Sequence, residues 1–108
     1  MMKEFNELLT KLKELKIIQT SGDWAEDLPV DFWQKYFIGN FEEVAHNIEI
    51  ETHRWYETSI AVIDIYGHLL GIRYATNVFS ESSSIEDCYV RIKFMEMKEV
   101  QTVSYLPI

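Results

Sequence analysis

The chain reads as an α+β domain in which two N-terminal helices pack on a twisted antiparallel sheet of four or five strands. Three observations predict this. Apolar residues recur at helical spacing near the start, the period changes to two from Val44 onward, and turn-forming residues divide the alternating segments at hairpin intervals. At 108 residues, 47% of them hydrophobic, the chain suits one domain spanning 1–108, with a helical part over 3–38 and a sheet over 44–106.

The first helix follows from Phe5, Leu8, Leu9, Leu12 and Leu15, which line one face between Lys3 and Lys16 while Glu7 stands four residues before Lys11. Ser21-Gly22-Asp23 breaks that pattern. Leu28-Pro29-Val30-Asp31 then leads into a short aromatic helix, Phe32-Trp33-Gln34-Lys35-Tyr36-Phe37-Ile38, which Gly39-Asn40 ends. Ile48, Ile50 and Thr52 alternate with Glu49, Glu51 and His53, and Ile60, Val62 and Asp64 alternate with Ala61, Ile63 and Ile65. These predict two long, bent strands.

Tyr66-Gly67-His68 supplies the turn to a third strand over 69–75. Ser80-Glu81-Ser82-Ser83-Ser84 reads as a loop, after which Ser84 could cap one helical turn. Cys88, Val90, Ile92 and Phe94 alternate with Tyr89, Arg91, Lys93 and Met95 as a fourth strand. Val100, Val103 and Tyr105 suggest a fifth, ended by Pro107.

Charge restricts the partners. The formal net charge is -8, of which residues 1–40 carry -2 and residues 41–108 carry -6. Such a chain repels nucleic-acid backbones and anionic membranes and is drawn to basic protein surfaces. No apolar segment reaches the roughly 20 residues of a membrane span, and the charged start Met1-Met2-Lys3-Glu4 lacks the apolar core of a secretory signal; cytoplasmic residence is the expectation. A single cysteine, Cys88, forms no internal disulfide, and its place on the apolar alternation marks a buried thiol.

No motif announces catalysis. Gly22, Gly39, Gly67 and Gly71 form neither a dinucleotide fingerprint nor a phosphate loop. His46, His53 and His68 lack zinc-site spacing, so no cofactor or metal is expected. Within His53-Arg54-Trp55-Tyr56-Glu57, a strand would hold His53 and Glu57 about 13 Å apart, too far to share an ion. Trp55 there is read as a core anchor, Arg54 as a carboxylate's partner, and His53 as a satisfied residue at a strand edge.

The candidate partner-binding residues are therefore acidic. Asp23, Glu26 and Asp27 bracket Trp24, which reads either as an exposed anchor or as cover for the helix layer. Glu49 and Glu51 share a strand face, and Glu81, Glu86 and Asp87 lie in or beside the serine loop.

The segments His53-Arg54-Trp55-Tyr56-Glu57 and Phe94-Met95-Glu96-Met97-Lys98-Glu99-Val100 resemble small proteins of phages and other bacterial mobile elements. In size and acidity the chain is similar to immunity proteins that neutralise toxin nucleases, including those of contact-dependent growth inhibition, and to anti-CRISPR proteins. The resemblance implies a non-enzymatic inhibitor that binds a basic bacterial toxin, with a phage anti-defence protein as the alternative in the same class. Two other readings remain. One is an enzyme or small-ligand domain with a pocket lined by Trp33, Tyr36, Trp55 and Tyr74; the other is a homodimer formed through an exposed sheet edge.

Overall fold

The computed structural model describes residues 2–20, 23–53, 56–78, 90–100 and 104–108. Helix α1, Met2–Leu15, turns Phe5, Leu8 and Leu12 inward, and these three side chains are buried. Beyond its last turn Lys16 takes a left-handed conformation at φ 48°, a position where glycine is usual and lysine is strained. The chain then runs extended. Ile18 bridges to Arg91, Gln19 N donates to the Val90 carbonyl at 2.7 Å, and Ile92 N donates to the Ile17 carbonyl at 2.8 Å.

Gln19 closes this junction with its side chain. Its Nε2 donates to the Ala75 carbonyl at 3.1 Å while its Oε1 accepts the Ala75 N–H at 2.7 Å, so a fully buried amide occupies the place of a neighbouring strand's backbone.

The second helical element departs from the expected helix. A 3-10 turn, Trp24–Asp27, comes first; then a single α-helical turn, α2 (Val30–Phe32), passes into a π-helical turn, Trp33–Phe37. The wide turn closes where Ile38 N donates to the Trp33 carbonyl at 3.2 Å. Aromatic packing holds it: Trp33 stacks on Phe37 at 5.1 Å, and both rings meet Trp24 and Phe41. Gly39, at φ 74°, ends the element.

Among the described residues, five antiparallel strands follow one another in the sheet order β1-β2-β3-β4-β5: β1 (Phe41–Thr52), β2 (Tyr56–Ile65), β3 (His68–Val78), β4 (Lys93–Val100) and β5 (Ser104–Pro107). Tyr66 and Gly67, both at positive φ, make the two-residue turn between β2 and β3 that a right-handed twist prefers. Tyr66 is held there by its hydroxyl, which donates to the Tyr36 carbonyl at 3.1 Å. The expected fourth strand begins later than the alternation suggested. Val90 and Ile92 are buried as the pattern requires, but they lie against residues 17–19, and ladder pairing with β3 starts at Lys93.

β1 is irregular. Its 12 residues run beside 57–65 of β2 with register shifts between Glu43 and Ala45, between Ala45 and Ile48, and between Ile48 and Glu51. β2 is buried on both faces, as its run Ile60-Ala61-Val62-Ile63 suits. Ile63 and Ile65 meet α1 and the aromatic group; Ile60 and Val62 meet Met97 in a smaller core with Met95, Leu69 and Tyr105. Gly71 makes that second core dense, since a Cβ there would sit 2.7 Å from Met97 Cγ and Sδ.

Candidate partner-binding face

The acidic segment before α2 divides into structural and available groups. Asp23 caps the 3-10 turn by accepting the Ala25 N–H at 3.0 Å, and Asp27 accepts from both the backbone N–H and the hydroxyl of Thr20. Trp24 is 7% exposed and lies among Trp33, Phe37 and Phe41, so it covers the helix layer and is no exposed anchor. The reason is local: one 3-10 turn sends the indole inward while the capping carboxylate stays outside. Glu26 is the acid of this segment left facing solvent at a groove.

That groove has a volume of 360 Å³ and an apolar floor formed by Ala25, Leu28, Trp33 and the side chains of Val30 and Ile38. Val30 is 69% and Ile38 56% exposed, unusual values for branched aliphatic side chains placed side by side in one concavity. On the other flank of α2 a second groove of 350 Å³ includes Phe32 and Tyr36 with Lys11, Lys35 and Asp31. Trp33 and Tyr36 thus serve different grooves, and the single pocket expected around Trp33, Tyr36 and Tyr74 is not the arrangement of these three described residues.

More acids follow along the sheet edge. Glu42, Glu43 and Glu51 are exposed, and Glu42 lies directly opposite Asp64 in the β1–β2 pairing. His46 Nδ1 comes 3.2 Å from Glu43. Burial pushes the Tyr74 hydroxyl above its ordinary range, and the charges of Glu43 and Asp23 push in the same direction. The Glu49 side chain, and Glu81, Glu86 and Asp87, lie outside the described residues, as do Cys88, Arg54 and Trp55. The extra β1 residue between Ile48 and Glu51 breaks the simple alternation that would place Glu49 and Glu51 on one face.

Between β1 and β2, His53 N donates to the Tyr56 carbonyl at 2.8 Å. The His53 ring stacks on Tyr56 at 4.6 Å, with Nε2 3.5 Å from the Thr58 hydroxyl and 3.7 Å from Glu51. Among the described residues no three His, Cys, Asp or Glu side chains gather as a metal site, and no helix is long and apolar enough to cross a membrane.

The described residues form a small α+β fold with grooves on both flanks of α2 and exposed carboxylates along β1. No protein-family model, curated protein or solved structure matches the chain.

Proposed function

We propose that the chain is an inhibitor or immunity protein that binds and neutralises a basic bacterial protein, of the toxin-nuclease kind, through the groove beside α2 and its acidic surroundings. The observation that carries the reading is the apolar groove holding exposed Val30 and Ile38 with Glu26 at its lip. An apolar centre with the Glu26 carboxylate at its lip suits a partner that offers an aliphatic or aromatic side chain beside a lysine or arginine. Nucleases carry such cationic surfaces because their active sites must attract phosphate. Asp23, Glu43 and the acids Glu42 and Asp64 add a long-range field that speeds encounter without entering the groove.

The test is co-expression with a panel of basic bacterial nuclease toxins, including any encoded next to this gene. The unaltered chain should restore growth and bind the toxin with an affinity that falls as salt rises. Val30→Asp with Ile38→Asp should remove protection, weakening binding by about 30-fold or more if the groove is the energetic centre. Both side chains are exposed, so circular dichroism should show an unchanged fold. Protection that survives the double substitution, or binding indifferent to salt, would contradict the proposal.

A further inference from the structure

Against a net charge of -8, half of the chain's ten lysines and arginines collect in one region. Two crevices meet there and share Arg91 and Lys93 as walls. One, of 270 Å³, adds Lys13 and Lys16 from the end of α1; the other, of 160 Å³, adds Arg73, Tyr56 and Thr58. We propose that the smaller crevice is a binding site for a compact phosphate-type anion, held by Arg73, Lys93 and Arg91.

Register supplies the first support. Arg73 stands directly opposite Lys93 in the β3–β4 pairing. Like charges at directly opposed positions repel, and the usual remedy is a carboxylate beside them. Among the described residues none of the five cations has an ion-pair partner, although the chain contains 18 acids. Among the described residues the pair's charge is not taken up by an ion pair, and an anionic ligand would neutralise it.

Chemistry of the walls supplies the second. Arg73 and Arg91 offer forked N–H donors, Lys93 a point charge, and Thr58 and Tyr56 hydroxyl groups, a donor set suited to the several oxygens of one phosphate. Glu51 also lines this crevice, 3.7 Å from His53 Nε2, and against its one carboxylate the three cations Arg73, Arg91 and Lys93 keep an excess of positive charge. Lys16, strained at φ 48°, adds its charge to the neighbouring crevice, and with Lys13 extends the positive field outward. The small volume and the acidic remainder of the molecule select a small ligand over a nucleic-acid strand.

The experiment titrates the full chain with pyrophosphate at low ionic strength, following heat and amide chemical shifts. Saturable binding is expected, with shifts centred on Arg73, Arg91 and Lys93. Arg73→Gln and Lys93→Gln should each weaken it by about tenfold or more, while Lys3→Gln, on the exposed side of α1, should change it by less than about twofold. Without ligand, Lys93→Gln should unfold at a temperature no lower than the unaltered chain, since it removes a repulsion; this separates loss of binding from loss of fold. Inorganic phosphate and AMP distinguish the source: equal binding assigns the free anion, tighter AMP a phosphomonoester, and both uphold the site. Absence of saturation, an equal loss in Lys3→Gln, or an oligonucleotide that binds far more tightly than pyrophosphate would overturn the assignment.

Discussion

Replacing Gln19 tests the junction between helix layer and sheet more directly than any apolar truncation. Gln19→Leu conserves volume and apolar packing but leaves the Ala75 N–H and carbonyl, now bonded at 2.7 and 3.1 Å, without partners in a fully buried position. Each stranded group costs about 1–3 kcal/mol, so the variant should lose about 3 kcal/mol after the gain from added apolar burial is allowed for. That is a large share of the roughly 5–15 kcal/mol that stabilises a domain of this kind. Urea denaturation measures the loss, and hydrogen exchange locates it at the Ala75 amide. Gln19→Glu adds a pH dependence. A neutral carboxyl can still donate to the Ala75 carbonyl, whereas the carboxylate would be buried against that oxygen, so its folded pKa should rise. The stability it contributes is therefore present below the unfolded value of about 4.3 and is lost as pH rises through the folded value. A loss below about 0.5 kcal/mol in Gln19→Leu, with Ala75 protection intact, would refute the idea that the side-chain amide substitutes for a strand.

Other substitutions probe other parts. Gly71→Ala should cost about 1–3 kcal/mol because Met97 must move from a 2.7 Å approach, and Met97→Ala should relieve much of that cost in a double-mutant cycle read by thermal denaturation. Leu8→Ala, at a fully buried position of α1, should cost about 2–5 kcal/mol in the same assay. Tyr74, raised by burial and by Glu43 and Asp23, holds its proton more firmly when folded. Its contribution is complete below the ordinary tyrosine value of 10.0 and disappears as pH rises through the higher folded value, so alkaline unfolding should be blunted in Tyr74→Phe.

The sequence displayed those features whose causes are local. The 3.6-residue spacing of Phe5, Leu8 and Leu12 marks the buried face of α1, Tyr66-Gly67 marks a hairpin turn, and Val90, Ile92 and Phe94 mark an inward face. Gln19 was invisible because a polar residue beyond a helix reads as surface until Ala75, 56 positions away, is brought to it. The acids around Trp24 left an exposed anchor and a cover for the helix layer both open, and capping by Asp23 decides for the cover, since the carboxylate stays outside while the indole turns in. The π turn has no signature separable from an α-helical aromatic run. Arg91 and Lys93 were evident as alternate residues on one strand, yet their tie to Arg73 depends on register, which pairing across β3 and β4 alone determines. The groove at Val30 and Ile38 was hidden for a similar reason: its walls come from two helical turns whose relative placement the aromatic cluster sets.

The irregular course of β1 bears on how this protein can meet others. A visiting strand adds to a sheet edge by matching evenly spaced N–H and carbonyl groups over several residues. β1 reaches no more than three consecutive regular pairs with β2 before its register shifts, and Glu42, Glu43 and Glu51 stand along it. An added chain would find its ladder interrupted at each shift and would have to bury carboxylates to continue. Self-association by strand addition is thereby discouraged at β1, and contacts with other molecules fall to side-chain surfaces.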